Sequence, residues 1–352
     1  MAEKSVSVLD SIDDVHPNQW NNLVAQSELG TLFHRHEWLK LLETHLGQEP
    51  RHVVIEKGSN PVALFPNFYD SLHVPGWETV VSSAPVRSLT SLSLGYGGPV
   101  IAGDEDECLD RMFDVLEQLR GVRTLYHWVR TNDPGYIRYG QTFADHGYTP
   151  LSTSCRFRID LAKPWDDIRA EMDSDHRRRL RQMEDHNVEF RDEPIDVRTL
   201  RSTYDAHTRN LERKSGDPLP FTFFEGLADL LSDRVKVVTV VVDGQEVGQY
   251  LYLLDDEQST VHYYLAGIGD EDYFQYNPSQ LLHAHTIQWG QDEGYQYYDF
   301  GSTGADYTNG VFRHKEGYGG EPVPTVQWRK GFSRLGWPAF RAARTLYRKT
   351  KA

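Results

Sequence analysis

The run Tyr297-Tyr298-Asp299-Phe300-Gly301-Ser302-Thr303-Gly304, followed after five residues by Gly310-Val311-Phe312-Arg313-His314-Lys315-Glu316-Gly317-Tyr318-Gly319-Gly320, decides how this chain is read. The aromatic stretch Tyr295 to Phe300 has the composition of a strand. It ends on an aspartate ahead of a glycine turn, where a carboxylate can cap gathered main-chain amides. The second run is a glycine-rich turn that carries a lysine. Lys315 is the only lysine between Lys236 and Lys330, in a chain whose basic residues are mostly arginine. A lysine kept against that drift points to a use for its charge.

Upstream of this strand the pattern predicts a helix from Pro278 to Glu293. Before it come the arms Val235–Val242 and Glu246–Leu254 of a hairpin turning at Asp243-Gly244-Gln245, then a strand from Thr260 to Leu265. Helices from Trp165 to His186 and near Thr203 to Leu211 precede the hairpin. The first half repeats the order. Helices around Trp20–Gln26 and His36–Leu46 lead to a hairpin, Arg51–Glu56 and Pro61–Tyr69, around Lys57-Gly58-Ser59-Asn60. A loop through Gly95-Tyr96-Gly97-Gly98-Pro99 follows. Then come a helix from Asp104 to Arg120 with an acidic first turn, a strand at Thr124–Arg130, a helix up to His146 and a strand at Leu151–Asp160. An order that occurs twice predicts a duplicated α/β unit: lobes at residues 1–160 and 161–330 meeting across a cleft, and a tail at 331–352.

Bulk properties bound the answer. At 352 residues the chain exceeds what one hydrophobic core usually serves, and 39% hydrophobic with 12% aromatic residues describes a folded protein. The formal charge of −15 suits an acidic halophilic protein, and equally an ordinary acidic cytosolic enzyme; it disfavours a nucleic-acid-binding module. Cys108 and Cys155 are too few for a disulfide framework and have no metal-ligand spacing. The pairs His34/His36 and His283/His285 cannot face one way on a helix, so no metal is expected. No GxSxG elbow, P-loop or Rossmann fingerprint occurs. The N-terminus lacks a signal-peptide pattern and no apolar run reaches membrane-spanning length, which predicts a cytoplasmic protein.

The paired motif resembles the C-terminal signature of the Fem peptidyltransferases and CelD-like acetyltransferases, a branch of the GNAT superfamily: a strand ending in Asp-Phe-Gly, then a Phe-Lys-x-Gly-Phe-Gly turn. Further points of resemblance are Phe33 with Glu37-Trp38, Tyr96-Gly97-Gly98-Pro99, the basic stretch His176 to Arg181, Glu212-Arg213-Lys214-Ser215-Gly216, and Asn277-Pro278 with Leu281-Leu282. Together they span nearly the whole chain. His314 departs from the pattern, standing where the family has a phenylalanine before its lysine.

The resemblance implies two tandem GNAT-like lobes, each a mixed central sheet flanked by helices. It implies N-acyl transfer from an activated donor, acyl-CoA or aminoacyl-tRNA, to an amine on a small, lipid-linked or nucleotide-linked acceptor, in cell-envelope or polysaccharide synthesis. No permanently bound cofactor is implied. The strands Thr260–Leu265 and Tyr295–Phe300 would splay around the reacting carbonyl. Lys315 would place positive charge beside it, and Tyr264 would orient the acceptor or protonate a leaving group. Asp299 would act as base or as cap of its turn. Arg213 would bind an acceptor anion through its planar fork. Tyr96 and Lys40 would line the N-terminal side of the cleft, with Phe312 and His314 on the other side. The segment Gly267 to Pro278 lacks the glycine-rich turn that grips a coenzyme A pyrophosphate, and its Asp270-Glu271-Asp272 would repel phosphate. A non-catalytic GNAT-like binding module for a carrier or protein is the competing reading. After Glu321 the chain holds no acidic and eight basic residues. Beyond Pro338, Phe340, Ala343 and Tyr347 form a stripe, a basic amphipathic helix that would rest on an anionic membrane surface at the inner face, on tRNA, or on the protein itself.

Overall fold

The computed structural model describes residues 4–72, 86–92, 94–120, 123–212, 217–334 and 336–351. The chain divides into two compact units, Met1–Ser152 with Thr325–Ala352, and Thr153–Pro324.

The first unit begins with β1 (Lys4–Leu9), α1 (Pro17–Gln26), α2 (His36–Leu46), β2 (Glu49–Pro50), β3 (His52–Lys57), β4 (Asn60–Phe65), β5 (Phe68–Ser71), β6 (Arg87–Ser91), β7 (Val100–Ile101), α3 (Glu105–Gln118), β8 (Thr124–Arg130) and α4 (Gly140–Asp145). Strands β1, β3, β4 and β7 form one antiparallel sheet. In another, β2 pairs with β5, β5 with β6, and β6 with β8 in parallel. Helix α3 starts where the Asp104 side chain accepts the Glu107 N–H. It buries Cys108, Leu109, Met112, Phe113 and Leu116, one stripe at helical spacing, against Phe65, Phe143 and Tyr148.

The second unit contains β9 (Thr149–Asp160), α5 (Trp165–Glu171), α6 (Ser174–Gln182), β10 (Val188–Glu193), α7 (Val197–Glu212), α8 (Phe221–Leu230), β11 (Val235–Val242), β12 (Gln245–Asp255), β13 (Thr260–Gly267), α9 (Pro278–Asp292), β14 (Tyr297–Gly304) and α10 (Gly310–Glu316). Its sheet runs β10-β11-β12-β13-β14-β9, antiparallel except between β13 and β14. A parallel neighbour requires a crossover, and α9 supplies it. Every residue of the valine-rich β11 is buried, as a strand covered on both faces should be.

The chain then re-enters the first unit. Strand β15 (Glu321–Gly331) pairs with β8 over Gln327–Gly331. Helix α11 (Gly336–Lys351) begins with Trp337 and Phe340 against Tyr126, at ring separations of 4.6 and 5.9 Å. The start of the basic tail is thus docked on the protein's own sheet. Ala343 and Tyr347 lie outside the described side chains.

Unit boundaries therefore do not follow the simple division at 160 and 330. The strand from Thr153 belongs to the second unit and everything from Thr325 to the first. The helix expected over Trp165–His186 is two helices. Met172 is extended, and Asp173 accepts the His176 N–H at 2.7 Å to start α6. The Arg177 guanidinium donates to the Ala170 and Met172 carbonyls and closes α5. The stretch read as a glycine turn at 310–316 is helical, capped by the Asn309 side chain.

Candidate active site

Strands β13 and β14 are paired only at Thr260/Tyr297, Val261/Tyr298 and His262/Asp299. At the same point β14 slips register against β9, between Asp299 and Ser302. The device is Gly301, held at φ 72°, a conformation glycine adopts without a Cβ penalty. A Cβ there would stand 3.1 Å from the Tyr263 carbonyl oxygen and 3.8 Å from Lys315 Nζ. Glycine is thus required both by the turn and by the close approach.

Asp299 is fully buried and fixes this turn. One oxygen accepts the Gly301 N–H at 2.7 Å, and the other is ion-paired to the buried Arg156. His262 Nδ1 lies 3.9 Å from that second oxygen, and His262 Nε2 lies 3.4 Å from Asp255. Burial pushes the Asp299 carboxyl up, but Arg156, then His262 and the Gly301 N–H, outweigh it and hold it below the usual carboxylate range. The group is a locked carboxylate.

Lys315, on α10, reaches into the gap. Its Nζ donates to the carbonyls of Gly301 at 3.0 Å and Ser302 at 3.1 Å. It is 8% exposed, and burial pulls its pKa down to about 8 although Asp299 and Cys155 oppose the shift. An ammonium has three N–H donors, and the third has no partner among the described residues. Lys315 also lines a cavity of about 360 Å³, with Tyr250, Tyr263, Phe300, His283, Asn210 and Ser279 on its walls. The His283 ring sits 4.8 Å from Tyr263 and 5.0 Å from Phe300, facing the parted strands. Its Nδ1 is 2.6 Å from the Tyr298 hydroxyl. Burial, then His314, Lys315 and His176, keep it neutral.

A smaller cavity of about 220 Å³ shares Ile268, Phe274, Ser279 and His314 with the first and extends to Arg179, His176 and Asn277. Asn277, at φ 47°, precedes α9 and makes no side-chain cap; its Oδ1 accepts from Arg179 Nη1 at 3.3 Å. The acidic segment before it forms a short turn, Glu271–Tyr276, whose cap is Asp270.

Of the residues expected from sequence, Lys315, Asp299 and His314 are brought together here. Phe312 is a neighbour on α10, but its ring packs on Phe157 at 5.0 Å. Tyr264 stacks on Phe223 of α8 at 6.0 Å, and the cavity wall is made instead by the adjacent Tyr263. The irregularity between Leu251 and Tyr252, opposite Tyr263 and Leu265, offsets the two tyrosines, and simple alternation could not reveal it. Tyr96 is buried in the first unit against Phe33 and under Arg130. Lys40 is ion-paired there with Asp13. Arg213 lies outside the described residues. Sequence reading missed Arg156, Tyr263 and His283, and named Arg179 only within the basic stretch His176 to Arg181. Of the three missed, His283 alone carried a signal, as half of a pair with His285. His283 faces Tyr298 and His285 stacks on Phe190 at 4.0 Å. Among the described residues no group of three or more His, Cys, Asp or Glu could hold a metal ion.

Residues 170–315, the span that holds the parted strands and the lysine, match the family model described as acetyltransferase (GNAT) domain. That span is a GNAT domain by this match, and the fold of the chain is that of tandem GNAT-like lobes. It is similar in structure to FemX, with a TM-score of 0.69 at 11% identity over 97% of this chain and 99% of that one. It is similar also to L-PGS from Bacillus licheniformis (TM-score 0.56, 13% identity, 94% and 96% covered). A third likeness is a tandem GNAT protein from the clavulanic acid biosynthesis pathway (0.54, 11%, 94% and 99%). At such identities these likenesses speak to the fold. No curated protein matches the sequence. No described helix is long and apolar enough to cross a membrane.

Proposed function

We propose that the second unit is an N-acyltransferase centre, in which the carbonyl of an activated ester or thioester lies where β13 and β14 part and an amine attacks it. The observation that carries this reading is the buried Lys315. It is anchored on the Gly301 and Ser302 carbonyls at the end of the paired strands, with one N–H left for the cavity. As the amine adds, the carbonyl oxygen gains negative charge, and a fixed cation in a dry wall stabilises that charge more than it stabilises the neutral ground state. The adduct then collapses to the amide as its bond to the donor's sulfur or ester oxygen breaks, and the departing thiol or hydroxyl takes up the proton that the amine gives off. Lys315 is the oxyanion donor in this scheme, and Asp299 with Arg156 positions the turn that holds it. The donor's phosphates would run past Arg179 and the N-terminus of α9, which make no glycine-rich pyrophosphate grip. Both acyl-CoA and aminoacyl-tRNA carry such phosphates. Arg213 is proposed to meet an anionic group of the acceptor. The test is mass spectrometry of an amine panel incubated with the protein and either donor. Lys315-dependent acylation from one of them is expected, and acylation undiminished in Lys315→Ala would overturn the scheme.

A further inference from the structure

We infer that the acyl group this cavity takes is uncharged and apolar, an aliphatic chain longer than acetyl, and not an aminoacyl group. This rests on the assignment of the cavity to the acyl donor made above.

Three observations converge. Among the described residues no carboxylate lines the cavity, whereas Lys315, His283 and His314 do, and Asp175 on the smaller neighbouring cavity is already paired with Arg178 and Arg179. Asp299, the carboxylate that acts on Lys315, is already committed to Arg156 and Gly301. An α-ammonium would therefore enter a wall that holds a cation and offers no counter-charge, which low dielectric makes costly. Second, much of the wall is apolar: Tyr250, Tyr263, Ala266, Ile268 and Phe300 face it. At about 360 Å³ it far exceeds what an acetyl group fills. Third, Phe274 and Val311 line this same cavity and are 44% and 52% exposed, although both are large apolar side chains. Exposed apolar groups gathered at one cavity are explained by an apolar ligand that covers them.

The test is equilibrium binding to the full chain of three thioesters of N-acetylcysteamine: glycyl, propanoyl and hexanoyl. Glycyl and propanoyl are isosteric and differ by an ammonium in place of a methyl. Propanoyl should bind at least about tenfold more tightly than glycyl, and hexanoyl at least about tenfold more tightly than propanoyl, since each buried methylene is worth roughly a factor of four at most. In the Phe274→Ser/Val311→Ser double variant, whose changes lie at exposed positions, the hexanoyl gain should shrink to about threefold. Glycyl binding as tight as propanoyl overturns the inference, as does a hexanoyl gain that is absent or survives in the double variant. Lys315-dependent transfer of an aminoacyl group would overturn the inference and leave the acyltransferase reading standing. Binding of none of the three overturns the assignment of the cavity to the acyl group, and this inference with it.

Discussion

Replacing Lys315 by methionine separates the catalytic part proposed for it from its structural part. The lysine's folded-state pKa is about 8 against 10.5 for the free side chain. The unfolded chain therefore binds more protons between those two values, and stability rises with pH through that window and is level on either side. The drop corresponds to about 3 kcal/mol of strain at neutral pH from burying the cation. Methionine removes that strain but leaves the Gly301 and Ser302 carbonyls without their donor, at about 1–3 kcal/mol for each. The two effects are similar in size, so the variant should be folded at neutral pH. What should differ is the pH dependence. Between about pH 7.5 and 10.5 the parent should gain about 3 kcal/mol relative to the variant, a relative shift of about 6–12 °C in Tm for a body of this size. Transfer by the parent should fall as pH rises through about 8, where the ammonium is lost, and kcat of the variant should be lower by about 10²–10³ without that descending limb. Paired melts and rate profiles check both statements. Parallel stability curves would refute the claim that burial perturbs this lysine, and an equal descending limb in the variant would refute its role at the oxyanion.

Asp299→Asn removes the carboxylate charge that faces the buried Arg156, and should destabilise the second unit by about 3–5 kcal/mol in urea melts. Because the Asp299 pKa is lowered, its contribution is present above the unfolded value of 3.8 and lost as pH falls through the folded one, so the parent but not the variant should weaken over that acid range. Gly301→Ala meets both a positive φ and the Tyr263 carbonyl 3.1 Å away, and should cost about 1–2 kcal/mol in the same melts with a larger loss of transfer. Deleting residues 336–352 removes Trp337 and Phe340 from Tyr126; a lowered melting temperature is expected, and unchanged melting with lost co-sedimentation on anionic liposomes would instead make the helix a membrane contact.

The repeat order of helices, hairpin, helix and strand was legible because amphipathic and alternating patterns are local, and β8 was placed to the residue. The short edge strands β1 and β10 were not, since Lys4–Leu9 and Val188–Glu193 mix charged and apolar residues and gain their strand character from pairing with β3 and β11. The exchange that puts β9 beside β14 and β15 beside β8 is non-local, and no property of Thr149–Asp160 taken alone encodes it. At the site, Asp299, Gly301 and Lys315 were legible as a motif. Arg156 was not, being 143 residues away in sequence and one arginine among many. Tyr263 was passed over for Tyr264 because an irregularity in the β12–β13 ladder decides which ring meets the cavity.

The contacts around Gly301 form one chain: Arg156 holds Asp299, Asp299 accepts the Gly301 N–H, and the Gly301 carbonyl accepts from Lys315. Asp299 is on this view a positioning residue, and its influence on turnover must pass through the lysine. A double-mutant cycle tests that dependence. Asp299→Asn alone should lower kcat by loosening the turn, and Lys315→Met alone should lower it by removing the cation. If the first acts only by misplacing the second, Asp299→Asn should have almost no further effect on kcat once Lys315 is methionine. Its cost in stability should persist, because the buried Arg156 still lacks the carboxylate charge opposite it. Non-additive rates with additive stabilities would be hard to reconcile with a purely structural aspartate. Additive losses in kcat would instead give Asp299 a direct part in proton transfer, and the locked carboxylate derived from its Arg156 pairing would have to be abandoned.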